Sequence, residues 1–227
     1  MHSRLSSFRC VGLLAVTVIG SSLVAFGAPK SGYTQVAIAR ADKIVATLTP
    51  PPDPAQADQT RGLIAGFYRD LNAVQTARDA QIKAAKADAG LAKPAREADI
   101  KQARADADAK REALRTAFVV RLRAQLTPDQ VGEVEDGLTY GVAPLTYRVY
   151  LEMLPNLTTE QRDQIHAWLL EARDHAIAGF SSEEKHAWFG KYKGRINNYL
   201  AKAGYNMKQA EHDFMARRPA AAKTSAR

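Results

Sequence analysis

Cysteine is nearly absent from this sequence: its 227 residues include only Cys10. One thiol can make neither an intramolecular disulfide nor a multi-thiolate metal site, so no disulfide scaffold is possible. Aromatic residues are sparse, at 7% with two tryptophans, and the 25% charged residues, 14 Gly and 10 Pro are ordinary for a globular chain. Collagen-like and polytopic membrane architectures are thereby excluded. The motifs that announce a reaction are missing too: no His-Glu-x-x-His, no Gly-x-Ser-x-Gly, no phosphate-binding P-loop and no dinucleotide fingerprint. What the chain has in quantity is hydrophobic residues, at 46%, and positive charge, 32 Lys plus Arg against 24 Asp plus Glu, for a formal +8.

The N-terminus accounts for part of that charge. Arg4 and Arg9 precede an apolar run over residues 10–19, and Ala25-Phe26-Gly27 follows with small residues at the two positions a signal peptidase reads. This order predicts a signal peptide over residues 1–27, cleaved after Gly27, and a periplasmic or secreted protein. The alternative is a retained anchor, because residues 10–28 approach the ~20 apolar residues a membrane span needs. Gly20-Ser21-Ser22 interrupts that run, however, and no basic cluster follows it. Cys10 lies ahead of the apolar stretch, where it cannot receive a lipid at the cleavage point. The mature chain then has no cysteine and no integral membrane segment, and it keeps 30 basic against 24 acidic side chains. A domain of this kind is held together by packing alone, without a thiol nucleophile.

Helical periodicity runs through the rest. Ile38, Ala41, Val45 and Leu48 repeat at helical spacing until Thr49-Pro50-Pro51-Pro52 ends the pattern. Asp53-Pro54-Ala55-Gln56 reads as a capped helix start. Leu63, Phe67, Leu71, Val74, Arg78 and Ile82 continue that helix toward Gly90, and Pro94 opens another, rich in Ala and charge, that turns apolar only at Leu114, Phe118 and Leu122. Residues 53–125 are thus predicted to form a long charged antiparallel helical hairpin, its tip near Gly90 in solvent or against a partner. Two near repeats follow, Leu126-Thr127-Pro128-Asp129-Gln130 and Leu157-Thr158-Thr159-Glu160-Gln161. Each has the Thr and Gln of a capping box, with a Leu before the cap to staple the first turn. Ser181-Ser182-Glu183-Glu184 repeats the device, Gly204 is placed to stop its helix, and Asp136-Gly137 suggests a turn. Ile165, Trp168, Leu169, Ala172 and Ala176 make one core stripe; Trp188, Tyr192, Ile196, Tyr199 and Ala203 make another. With no sustained strand alternation, the fold class is all-α: a single domain over residues 28–216, hairpin first and a compact aromatic-rich helical bundle over 126–216 second. Residues 217–227 read as a disordered basic tail.

The doubled Leu-Thr-x-x-Gln element, in an exported helical chain, resembles the periplasmic LTxxQ proteins of the Spy and CpxP type, which implies a chaperone-like activity on unfolded protein clients. A longer resemblance is carried by Asp136-Gly137-Leu138-Thr139-Tyr140-Gly141, by Tyr150-Leu151-Glu152-Met153-Leu154-Pro155, and by the run from Ser181 to Tyr199. Those stretches are similar to an uncharacterised family of exported bacterial proteins, a domain of unknown function. That resemblance implies an exported helical protein and brings no catalytic residues with it.

The run from Ser181 to Tyr199 concentrates side chains suited to binding. On one helix Trp188 and Tyr192 share a face, Lys191 and Arg195 an adjoining one, with Lys193, Asn197 and Asn198 close by. Aromatic faces stack on sugar rings, cations pair with carboxylates and amides meet hydroxyls, as a groove for an acidic glycan requires. The same residues serve equally well as core aromatics beside a solvated basic face. Gly190 and Gly194 weaken the helix by roughly 1 kcal/mol each relative to Ala, which suggests close approach of another backbone or a ligand. The Asn197-Asn198 pair suggests specific amide partners. Glu171, Asp174, His175, His166 and His186 lack metal-site spacing, so neither a metal nor a cofactor is expected. Nucleic acid is excluded as a partner by export and by interleaved acids.

Two functions follow as expectations. The first is a non-enzymatic exported envelope protein, binding or chaperone-like, with Trp188, Tyr192, Lys193, Arg195, Asn197 and Asn198 as the ligand-binding set and acidic polysaccharide or unfolded protein as its partner. The second is an enzyme acting on acidic polysaccharide, or its accessory binding protein, with Glu183 and His186 as acid and base. Oligomeric state has no signature in the sequence.

Overall fold

The computed structural model describes residues 31–217; the expected signal peptide and the tail after Arg217 lie outside the described residues. Among the described residues there are eight helices and no strand: α1 (Ser31–Val45), α2 (Pro54–Ala87), α3 (Lys93–Arg123), α4 (Pro128–Leu138), α5 (Val142–Met153), α6 (Thr159–Ala176), α7 (Ser182–Lys202) and α8 (Met207–Arg217). The expected all-α class therefore holds. None of these helices is long and apolar enough to cross a membrane.

Local chemistry sets most of the boundaries. Asp53 accepts the Gln56 amide proton and Pro54 occupies the first turn of α2. Thr127 accepts from the Gln130 amide at 3.3 Å while the Gln130 side chain accepts from the Thr127 amide at 3.1 Å, and Thr158 and Gln161 do the same at 3.2 and 3.0 Å. Each box satisfies donors that a helix start leaves open. Gly204, at φ +95°, follows the end of α7 as expected. The turn expected at Asp136-Gly137 is displaced: both residues lie inside α4, and the chain reverses at Thr139, Tyr140 and Gly141, the last two at φ 61° and 65°. Gly137 serves packing instead. A Cβ there would sit 2.9 Å from Ile44 Cγ1, so its absence lets α4 close on α1. Arg217, expected in the tail, closes α8.

Two hydrophobic clusters organise the molecule. The first draws on α1 to α4, with Ile64, Phe67, Leu71, Phe118, Leu122, Val134 and Leu138, and also takes in Ile177 and Ala178 just past α6. The second lies among α5, α6 and α7, around Ile165, Leu169, Phe189, Ile196 and Leu200. Each fully buried side chain of this size contributes about 1.5–3 kcal/mol. The toward-core register of α7 differs from the expected stripe. Phe189 and Leu200 are buried, Trp188 and Tyr199 are half-buried, and Ala203 is exposed. Rings meet in separate pairs, such as Trp168 with Tyr199 and Tyr147 with His166, around an aliphatic centre rather than as one aromatic cluster.

Two buried cations join the halves. From α6, Arg173 reaches α4, donating to Glu135 at 2.7 Å, Asp136 at 2.9 Å and the Gly132 carbonyl at 3.3 Å. From α7, Lys185 donates at 2.8 Å to the Leu138 carbonyl, with its ammonium 5.7 Å from the centres of the Tyr68 and Tyr140 rings.

Candidate functional site

Helix α7 carries every residue of the expected binding set, and its geometry divides them. With 3.6 residues per turn, positions 188, 191, 195 and 198 follow one another along one side, while 193 and 197 fall on the other. Trp188 and Lys191 line a groove of about 480 Å³ against the α2 and α3 pair, opposite Arg78, Arg104 and Arg111. Further along the same side, Lys191, Arg195 and Asn198 border Trp168 of α6 and Lys202. Lys191 belongs to both, so the two surfaces are continuous. Lys193 and Asn197 instead face a separate groove between α5, α7 and α8, lined by Leu145, Met153, Met207 and Met215. Tyr192 is buried in the second cluster, where burial and the neighbouring Glu171 carboxylate push its hydroxyl up to about 12.

Lys191 and Arg195 on the continuous side are each tied to an aromatic ring. Arg195 lies 4.4 Å from the Trp168 ring centre and pairs with Glu171 at 3.3 Å; Lys191 lies 4.9 Å from the Trp188 ring centre. Trp188 is itself stacked on His175, at 4.4 Å and 15°. Cation–π contacts of this kind hold long basic side chains in place at a gain of about 0.5–1 kcal/mol at exposed sites. Of the two expected reasons for Gly190 and Gly194, close approach of another backbone is not met: a Cβ at either would have nothing within 4 Å. Asn197 has its specific partner, the Tyr150 hydroxyl, which donates to its Oδ1 at 2.6 Å. Asn198 stays exposed beside Arg195.

The acid and base candidates have local partners. His186 Nδ1 is 2.7 Å from the Ser182 carbonyl, and its ring stacks on Tyr140 at 5.6 Å. Glu183 is exposed in the first turn of α7, and the carboxylate that α7 places at the groove is that of Glu184. Glu184 also departs from the expected capping box: Ser181 accepts its amide proton, but its own carboxylate turns to the Phe180 amide at 3.0 Å and to Arg111 at 3.3 Å. The histidines are spread over separate rings, and among the described residues no three His, Cys, Asp or Glu side chains converge as metal ligands would.

Sequence reasoning missed Arg78, Arg104 and Arg111 as site residues: they lie far from α7 along the chain, Arg78 read as one position of the periodic stripe of its helix, and Arg104 and Arg111 fell in the Ala-rich charged helix that follows. Arg104 and Arg111 are seven residues apart on α3 and so share a side of that helix, but that Arg78 of α2 joins them in one wall opposite α7 follows only from the fold.

Residues 34–220 match the family model described as protein of unknown function, DUF3826, and the chain belongs to that family. A search of the curated proteins finds no match.

Proposed function

From a family of unknown function and an all-helical fold, we propose an exported, non-enzymatic envelope protein that binds acidic polysaccharide. The observation that carries this reading is the continuous side of α7, where Trp188 and Lys191 face the arginines of α2 and α3 and Lys191, Arg195 and Asn198 sit beside Trp168. In this reading the long charged hairpin of α2 and α3 acts as an arm that carries Arg78, Arg104 and Arg111 to the ligand, and the aromatic-bearing C-terminal helices supply the rings. Arginine forks match planar carboxylates, and half-buried tryptophans offer ring surface to sugars. Export is proposed on the basic, apolar and small-residue order of residues 1–27.

The test is retention of the purified mature chain on immobilised polygalacturonate and alginate, with neutral dextran as control and reducing-end release measured alongside. Retention by the acidic polymers at low salt, weakening as salt rises, with no release of reducing ends, is the expected result. Passage through both acidic columns at low ionic strength would sink the reading; release of reducing ends would replace it with an enzyme. Cell fractionation checks the location.

A chaperone-like reading is favoured by one separate observation. The groove between α5, α7 and α8 carries three methionines and exposes Leu145 and Met215 by 51% and 41%, and methionine-lined surfaces adapt to varied apolar segments. Suppression of aggregation of an unfolded client, lost on Leu145→Ser with Met215→Ser, is its signature.

A further inference from the structure

The groove between α7 and the α2 and α3 pair holds a carboxylate already, one supplied by the protein. Arg78 and Arg111 lie 4.8 and 5.0 Å from the Phe180 ring centre, and their side chains are only 19% and 23% exposed. Two guanidinium groups of like charge are thus brought to one ring in a largely desolvated setting. Glu184 answers that charge, with its carboxylate 3.3 Å from Arg111 and 3.9 Å from Arg78. Both distances exceed the 2.7–2.9 Å of a well-made charge-assisted bond. The carboxylate is held instead by the Phe180 amide, on which it makes its shorter contact of 3.0 Å. The two arginines have closer partners, Arg78 in Asp79 and Arg111 in Asp108, each at 2.8 Å. On the open side of the groove, Arg104 and Lys191 have no carboxylate partner among the described residues. Four cations therefore face two acids, Asp108 and Glu184.

We propose that this groove is a carboxylate-reading subsite for uronate-type acidic sugars, and that Glu184 is a built-in competitor occupying its inner end in the free protein. The inference rests on the binding reading above and adds to it which group of the ligand is read and what holds the site closed. An incoming carboxylate pairs with Arg104 and Lys191 and meets the Arg111 fork from the side that Glu184 only loosely fills. The Trp188 ring forms the wall beside it. No bond is made or broken, and affinity is set by the difference between the ligand's carboxylate and the resident one.

This arrangement makes a counterintuitive expectation. Glu184→Gln removes the competing charge but keeps an oxygen to accept from the Phe180 amide, and it raises the net charge of the lining by one. Binding to polygalacturonate should tighten by roughly three- to ten-fold at low salt, and the gain should shrink as salt screens it. Arg104→Ala with Lys191→Ala should weaken binding by at least about ten-fold. Asp163→Asn makes the same charge change on α6, outside both surfaces of α7, and should leave affinity within two-fold. Circular dichroism and melting of each variant confirm folding before affinity is read.

If wild type binds polygalacturonate but folded Glu184→Gln binds equally or more weakly, or Asp163→Asn tightens as much, the competitor role is overturned while polysaccharide binding stands. Should dextran sulfate be bound as tightly and respond identically to the variants, the groove reads charge and not carboxylate, which overturns the ligand assignment. Failure of wild type to bind any acidic polymer removes the binding reading itself, and this subsite with it. Tightening by Glu184→Gln on polygalacturonate, without a matching gain on dextran sulfate, is the result that supports the proposal.

Discussion

Arg173 and Lys185 do the same mechanical job with opposite electrostatics. Both are buried cations, 9% and 4% exposed, and both tie the C-terminal helices to α4. Arg173 is answered by two carboxylates and a carbonyl. Lys185 has one carbonyl at a helix C-terminus and two tyrosine rings, with no acid, and the Arg40 charge adds to its cost. Burial chiefly, and Arg40 next, bring the Lys185 amine down to about 8. At the other joint, burial raises the Glu135 carboxyl above its usual value even though Arg173 pulls it down. One joint is a charge pair that neither partner can leave; the other is a lone charge that the fold tolerates at a cost.

The largest effect should come from breaking the pair. Arg173→Ala leaves Glu135 buried without its cation, and a loss of about 3–5 kcal/mol in urea unfolding is expected. Glu135 then binds a proton more readily still, so the loss should lessen toward acid. In the wild type the sign is already set: the folded chain holds the Glu135 proton more tightly than the unfolded one, so its contribution is greatest in acid and falls as pH rises past 4.5. Arg173→Met together with Glu135→Leu should recover most of the single-variant loss, since an apolar pair removes the desolvation cost on both sides. A single-variant loss below 1 kcal/mol would mean the joint is held by packing and the comparison fails.

Lys185 is next in size and appears as a pH dependence. The unfolded chain keeps this proton to about 10.5 and the folded chain releases it near 8. Below pH 8 the folded state bears the whole cost of the buried ammonium, roughly 3 kcal/mol, and that cost is relieved as pH climbs from 8 to 10.5. Tyr68, pushed up to about 12 by burial, acts in the other direction above pH 10, because the unfolded chain ionises it first. Stability should therefore rise from pH 8 to a maximum near 10. Lys185→Met should be flat over that interval; an equal rise in the variant would assign it to another group.

The two capping boxes give a smaller contrast and show what was legible beforehand. Both were readable because a cap is a relation between residues three apart, and so were the all-α class and the helix start at Pro54. Their tertiary ties were not readable: Gln130 also donates to the Pro50 carbonyl at 2.8 Å and is 3% exposed, whereas Gln161 accepts from the Tyr205 hydroxyl at 2.9 Å near the surface. Thr127→Ala should cost about 2 kcal/mol and Thr158→Ala about 1 by thermal melting. The same divide explains the binding set. Helical spacing put Trp188 on a face adjoining that of Lys191 and Arg195, but whether Phe189 or Trp188 turned inward depended on what α5 and α6 offered, and so did the separate groove that Lys193 and Asn197 face. The burial of Lys185 was not legible, because nothing local marks a position that a distant carbonyl and two rings will enclose.

The smallest effect tests the glycines of α7, where local and tertiary reasoning part most plainly. Close approach of another backbone or of a ligand was the expected reason for Gly190 and Gly194, and in the fold both have open space where a Cβ would go. With helical backbone and no clash, Ala should stabilise at either position by about 0.5–1 kcal/mol, by helix propensity and by reducing the freedom of the unfolded chain. The two positions differ in what they face. Gly194 borders the surface shared by Trp168, Arg195 and Asn198, and Gly190 borders neither groove. Gly190→Ala should raise the melting temperature and leave retention on polygalacturonate unchanged. Gly194→Ala should raise it equally, and if a sugar chain lies close along that side, the added methyl should cost affinity by a few-fold. Equal stabilisation with equal retention would confine the ligand to the groove end of α7, at Trp188 and the three arginines.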